Sequence, residues 1–223
     1  MIAAALLGAA AGVDRSAVGQ TMLAHPLMAA TLAGLLSGDP EGGARMGVSL
    51  GVLTLGRIPV GETRVRDNAS AAVAAGFVGA HATQSEAGLI LLLALVLAAP
   101  AGRLIDASRA WTLRRREALS PALAEGQSHG IASLHRVALL VEFVRGAGAS
   151  VLLLLCCEAA LRWLLPMADA AALEALAWSW RLAALVGLPA FVWLHRSAPA
   201  WRLGAIGTGA GAAAFWLSGG VSL

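Results

Sequence analysis

Charged residues are scarce in this chain, and lysine is absent altogether. Only 13% of its 223 residues are charged, whereas 58% are hydrophobic and the mean hydropathy is +0.75. Soluble domains typically carry about 25% charged residues, which they need to cover a surface exposed to water. The composition therefore excludes an ordinary soluble protein and indicates an integral membrane protein embedded in the lipid bilayer.

Because lysine is missing, the formal charge of +3 comes entirely from arginine. In a membrane protein, an excess of arginine indicates which segments face the cytoplasm. The arginine run 114–116 beside Trp111 does not form a credible nucleic-acid site. Six arginines stand against three acidic residues in region 103–136. This region is predicted to be a cytoplasmic amphipathic connector, covering residues 102–136.

Cysteine is nearly absent, since the chain has only Cys156 and its neighbour Cys157. Neighbouring residues of a helix point about 100° apart, so a disulfide between them would be strained. No His or Cys set with metal-ligand spacing accompanies them. We therefore predict two inert thiols and no metal site. The five histidines have no convincing catalytic partner nearby in sequence, so no catalytic group and no cofactor are predicted.

Long apolar runs are missing from the first 81 residues, whereas the block 87–100 is long enough to cross a membrane if a few flanking residues are included. The apolar segments of the first 81 residues, 2–13, 26–37, 44–55 and 69–81, are separated by Gly, Pro and charged residues such as the pair Asp14 and Arg15. A dozen helical residues span about 18 Å, well short of the roughly 30 Å bilayer core. Helices this short indicate broken or re-entrant segments around a polar cavity, and charges inside apolar sequence mark such cavities or an interface.

These patterns predict an all-α integral membrane protein with polytopic helices. Broken or re-entrant segments occupy a first membrane region, 1–101, and ordinary spans occupy a second, 137–223. The predicted spans are 137–166, which is interrupted by Glu142 and Arg145, then 176–194 and 204–217. Substrate sites tend to form where helices are broken, which places the site in the first region.

Several motifs follow one another in an order that resembles a known family. They are GVDR, AVGQTM, HPLMAATLAGLLSGDP and LGVLTLGRIPVG, followed by GRLIDASRAWTLRRREAL and SLHRVALLVEFVRGA. This order is similar to that of the IIC component of the mannose/sorbose-type bacterial sugar phosphotransferase system. The chain departs from the family at Gly51, where an acidic residue is usual, and in the charged loop with Glu62, Arg64 and Arg66.

The resemblance implies a multi-pass permease subunit of the bacterial inner membrane. It would bind and translocate a hexose-like sugar together with a IID-type membrane subunit, as part of a homo- or hetero-oligomer. Separate IIA and IIB proteins would relay phosphate from phosphoenolpyruvate, so this chain would not itself be an enzyme. Two alternatives remain: a non-transporting or regulatory scaffold of the same fold, and an unrelated small secondary transporter.

Four residues are candidates for binding the sugar: Gln20, His25, Asp67 and Asn68. Amides and carboxylates suit sugar recognition because they donate to and accept from neighbouring hydroxyls. Each candidate also has a structural explanation. Gln20 would bridge a helix break, His25 would stand at a helix start, and Asp67 with Asn68 would cap the helix that begins near residue 69.

Overall fold

A computed structural model describes residues 1–16, 21–54, 65–124 and 129–178. The described residues form helices joined by short turns, with no strand among them, and the predicted all-α class is confirmed. The helices are α1 (Ile2–Ser16), α2 (Pro26–Ser37), α3 (Pro40–Thr54), α4 (Asn68–Gly79), α5 (Gln84–Ala124) and α6 (His129–Leu164). A 3₁₀ turn at Leu165–Met167 and a helical segment at 170–178 follow.

Four short helices come first, as the spacing of the apolar segments predicts. Helix α2 begins at Pro26, whose missing N–H does no harm in a first turn. It ends at Gly38, which adopts the left-handed φ of 91° while the Asp39 N–H donates to the Gly34 carbonyl at 2.9 Å. The Asp39 side chain then accepts from the Gly42 N–H at 3.0 Å and starts α3. Proline, glycine and aspartate therefore set the α2–α3 hairpin locally.

Small residues let α2, α3 and α4 approach closely. A Cβ atom on Gly43 of α3 would lie 2.5 Å from the Ala30 carbonyl oxygen and 2.6 Å from the Gly34 Cα of α2. A Cβ on Gly76 of α4 would lie 2.7 Å from the Ala33 Cβ. Backbone contact of this kind packs helices where lipid supplies no hydrophobic driving force. The resulting cluster surrounds α4, which is buried along 69–76.

The two long helices, α5 and α6, follow the four short helices in the chain and pack against them. The segments Gln84–Ala118 of α5 and Ala132–Met167 at α6 are long and apolar enough to span a membrane. Helix α5 passes residue 101 and α6 passes residue 136 without a break, so the boundaries drawn there from the sequence fall inside helices. The cytoplasmic location of 102–136 stays a prediction. The spans predicted beyond residue 178 lie outside the described residues.

Both cysteines lie on α6 as free thiols. Cys157 is fully buried, whereas Cys156 is half-buried. The parts of the chain that are described hold no group of three or more His, Cys, Asp or Glu side chains suited to a metal ion.

Candidate functional site

Asp67 lies at the junction of the short and long helices. It is the N-cap of α4, where its Oδ1 atom accepts from the Ser70 N–H at 3.1 Å and its Oδ2 atom accepts from the Ser70 hydroxyl at 2.9 Å. Its backbone N–H donates to the Ala98 carbonyl of α5 at 2.9 Å. The side chain is only 1% exposed. The structural explanation offered by the sequence, helix capping, is therefore realised.

A buried ion network extends from Asp67 across α6 to α5. Arg145 donates through Nη1 to Asp67 Oδ2 at 2.6 Å and through Nε to Glu142 Oε2 at 2.8 Å. Glu142 Oε1 in turn accepts from the Ser108 hydroxyl at 2.6 Å. Arg15 lies further from Asp67, with 3.9 Å between Nη1 and Oδ1. The carboxylates of Asp67 and Glu142 are thus bridged by Arg145, and Arg15 lies beside them.

A cavity of about 270 Å³ opens next to this network, where α2 and α4 begin and α3 ends. It is lined by Arg15, Ala24, His25, Pro26, Gly51, Thr54, Arg66, Asn68 and Ala69. We call it the small cavity. It lies where short helices start and stop, which is the location that the sequence pattern predicts for a substrate site.

Gly51 forms an open part of the wall of the small cavity. A Cβ atom built on Gly51 would meet only His25 Cε1, at 3.7 Å, which is ordinary van der Waals distance. The position where the resembling family usually has an acidic residue therefore adjoins the cavity. With glycine there, the wall has space and no carboxylate at this position.

The polar groups of the wall are held by local hydrogen bonds. His25 is the N-cap of α2, and its Nδ1 accepts from the Leu27 N–H at 3.3 Å, which assigns the ring proton to Nε2. The Thr54 hydroxyl donates to the Leu50 and Gly51 carbonyls at 2.8 and 3.0 Å and keeps its acceptor capacity. Arg66 uses one Nη1 donor on the Leu95 carbonyl at 3.4 Å. Its other donors have no hydrogen-bond partner among the described residues.

A larger cavity of about 560 Å³ lies between the end of α1 and the helices α5 and α6. Its wall consists of Arg15, Ile105, Arg109, Thr112, Leu113, His135, Ala138, Leu139 and Glu142. Arg15 lines both cavities, so they are neighbours with this guanidinium between them. The larger cavity lies towards the arginine-rich parts of α5 and α6.

The structure brings together some of the residues predicted from the sequence. His25 and Asn68 both line the small cavity. Asp67 is adjacent in the chain, but its carboxylate is engaged by Ser70 and Arg145. Gln20 lies outside the described residues, as do Glu62 and Arg64. A substrate-binding role for the four candidates stays a prediction.

Sequence reasoning did not assign a site role to Arg15, Thr54, Glu142 or Arg145. The sequence did contain a signal for Arg15, Glu142 and Arg145, because ionisable residues inside apolar segments usually face a polar interior. Thr54 carried no such signal, since a hydroxyl in a helix commonly bonds its own backbone.

Short packed helices, two long apolar helices and a polar cavity at helix ends together define a helical membrane protein of the transport type. A model of the family described as "PTS system sorbose-specific iic component" matches residues 1–194. The chain therefore belongs to this family of IIC components of the phosphotransferase system, which excludes the alternative of an unrelated secondary transporter.

Solved structures share the fold. One, described as a membrane protein, is similar with a TM-score of 0.75 and 21% sequence identity over 95% of this chain and 85% of its own length. Another is a cryo-EM structure of the mannose transporter ManYZ in complex with microcin E492 (MceA). It is similar with a TM-score of 0.61 and 23% identity over 93% of this chain and 85% of that one. A comparison with curated proteins gave no match.

Proposed function

We propose that this chain is the permease subunit of a phosphoenolpyruvate-dependent sugar phosphotransferase system in the bacterial inner membrane. It binds a hexose-like sugar and moves it across the bilayer as a multi-pass protein assembled with a IID-type subunit. Separate IIA and IIB proteins supply the phosphoryl group, so the chain itself is a transport subunit and not an enzyme. Family membership and the small cavity support this proposal, and the ManYZ mannose transporter is a complex of similar fold.

The observation that carries the proposal is the position of the small cavity. It combines polar groups from four helix ends with a volume of about 270 Å³, slightly below the range of about 300–1,000 Å³ for drug-sized ligands. A monosaccharide suits this size. His25 and Asn68 supply donors and acceptors from the wall, and Gln20 belongs to the same proposed site.

We assign Asp67 a supporting role through its neighbour Asn68, because its own carboxylate is engaged by Ser70 and Arg145. Its four polar contacts with Ser70, Arg145 and Arg15 hold the start of α4, which presents Asn68 to the cavity. The larger cavity provides the route onwards, past Arg15, towards the arginine-rich end that we propose to be cytoplasmic.

Phosphate-coupled sugar uptake tests the proposal. The chain is expressed with IIA, IIB and IID partners, assembly of the membrane complex is verified, and uptake of labelled sugars is measured. Uptake that requires this chain supports transport, and it should fall with Asn68→Ala and Gln20→Ala. Sugar binding to the purified complex that is unchanged in both variants would remove the site assignment.

One observation favours the second candidate, a non-transporting scaffold or regulator of the same fold. Gly51 leaves the described wall of the small cavity without a carboxylate for sugar hydroxyls. An assembled complex that neither binds nor transports any sugar would favour this scaffold function over transport.

A further inference from the structure

The charges of the two cavities indicate the chemical class of the substrate. Among the described lining residues of the small cavity, two carry a positive charge, Arg15 and Arg66, and none carries a carboxylate. A neutral sugar is commonly held by carboxylates, which accept hydrogen bonds from its hydroxyls. Guanidinium groups donate only, and their planar arrangement of N–H groups matches a carboxylate.

Asp67 is the chain neighbour of the wall residue Asn68, but its carboxylate is not available to a ligand. Asp67 accepts from the Ser70 N–H, the Ser70 hydroxyl and Arg145, and it is 1% exposed. Since Arg145 lies 2.6 Å away and Arg15 lies 3.9 Å away, Arg145 neutralises this carboxylate first. Arg15 is therefore only weakly paired at the edge of the small cavity.

The wall of the larger cavity also carries an excess of positive charge. Glu142, the only acidic residue among the described residues of its wall, accepts from Arg145 Nε at 2.8 Å and from the Ser108 hydroxyl at 2.6 Å. Arg109 and His135 line this cavity, and no described carboxylate lies within ion-pair distance of Arg109. A route past Arg15 is consequently cationic on both sides, and such a field concentrates anions.

We propose that the substrate is an anionic sugar, a hexose derivative that bears a carboxylate, such as a hexuronate or a hexonate. This inference rests on the proposed transport function and specifies the substrate class of the same site. Arg66 binds the carboxylate of the sugar through the N–H groups that do not donate to the Leu95 carbonyl. Arg15 supplies the second positive charge beside this carboxylate. His25, Asn68 and Thr54 contact the hydroxyls. Glycine at position 51 suits this substrate because a carboxylate there would repel it.

Calorimetry with the purified complex tests the substrate class. Glucose, glucuronate and gluconate are compared because they share six carbons and differ in charge. The acids should bind about tenfold to a hundredfold more tightly than glucose, as expected for charge-assisted hydrogen bonds in a partly desolvated site. The preference should weaken as salt concentration rises.

Variants locate the effect at Arg66. Arg66→Gln should weaken binding of the acids far more than binding of glucose and so abolish the preference, whereas Arg66→Lys should retain part of it. The matched control is Arg103→Gln, an exposed arginine of α5 outside the described walls of both cavities. Thermal unfolding verifies that each variant is folded.

The outcomes separate two kinds of failure. Glucose binding as tightly as the acids, or an equal loss for all three ligands in Arg66→Gln, would overturn the anionic class while leaving sugar transport in place. Binding of none of a wider panel of neutral and acidic sugars to the assembled complex would contradict the transport function itself.

Discussion

The Nη1 atom of Arg145 on α6 lies 2.6 Å from the Oδ2 atom of Asp67 at the start of α4, although 78 positions separate the two residues. Both side chains are almost completely buried, at 6% and 1% exposure. The pair joins the cluster of short helices to a long helix. Because Asp67 also caps α4, the contact fixes the helix end that carries Asn68.

Removal of one member of this pair should destabilise the protein strongly. In Asp67→Asn the carboxamide no longer neutralises Arg145, and an uncompensated buried charge costs about 3 kcal/mol. Glu142 still contacts Arg145, which keeps the loss at the lower end of the range for such pairs. The free energy of unfolding of the purified protein in detergent measures the effect.

An exposed ion pair of the same helix provides the control. Arg162 lies 3.9 Å from Glu158 and its side chain is 84% exposed. Arg162→Gln should therefore cost less than about 1 kcal/mol. Similar losses in the two variants would show that Asp67 and Arg145 do not connect the helices as described.

The short helices were predictable from local signals, whereas this ion pair was not. His25-Pro26 and Gly38-Asp39-Pro40 set the ends of α2 and the start of α3 through capping and the left-handed backbone of glycine. Charges inside apolar sequence indicated a polar interior but did not specify partners. Contacts between distant residues depend on how whole helices pack, which nearby sequence does not encode.

In the candidate site, too, some residues were predictable from local sequence and others depend on the fold. His25 and Asn68 stand beside helix starts that the sequence marks, and both line the small cavity. Thr54 and Arg15 line its wall because the fold brings the ends of α3 and α1 to the border of the same cavity. The capping role of Asp67 was predictable from its position before an apolar helix, but its engagement by Arg145 required the fold.

A carboxylate introduced at Gly51 should change ligand preference. In Gly51→Glu a side chain enters the small cavity next to His25, since a Cβ there makes only a 3.7 Å contact. We expect glucuronate to bind about tenfold more weakly, because like charges repel, and glucose to bind no more weakly than before. Calorimetry on the purified complex measures both ligands.

Gly51→Ala is the matched control because it adds volume without charge. It should leave the ratio of the two affinities unchanged. If Gly51→Glu weakened both ligands equally, steric filling and not charge would explain the result.

Replacement of Gly43, where α2 and α3 are in contact, should destabilise the protein far more than replacement of Gly148 on an open face of α6. In Gly43→Ala the new Cβ would overlap backbone atoms of Ala30 and Gly34, so the helices must separate at a cost of about 1–3 kcal/mol. A Cβ atom on Gly148 of α6 would have no described atom within 4 Å, and alanine there should stabilise the helix by up to about 1 kcal/mol. Unfolding measurements on the two variants should therefore differ in sign. A destabilised Gly148→Ala would contradict the open face.

Asp14 should control the order of the segment that leads to His25. Its Oδ1 atom accepts from the Thr21 N–H at 2.6 Å and the Thr21 hydroxyl at 2.8 Å, and its Oδ2 atom accepts from the Ala24 N–H at 3.1 Å. In Asp14→Asn the amide nitrogen replaces one acceptor, so one of these N–H groups loses its partner. A lost hydrogen bond to a charged group is worth about 1.5–3 kcal/mol, which predicts about tenfold or faster amide exchange at residues 21–24.

Hydrogen–deuterium exchange with peptide resolution measures the effect of Asp14→Asn. The control is Thr31→Val, since the Thr31 hydroxyl donates to the Leu27 carbonyl of its own helix at 2.7 Å and its loss should not affect residues 21–24. Because His25 follows this segment directly and lines the small cavity, Asp14→Asn should also weaken sugar binding, while Thr31→Val should not. Faster exchange without weaker binding would show that His25 is positioned by its cap on α2 alone. Unchanged exchange would show that Asp14 does not hold the segment.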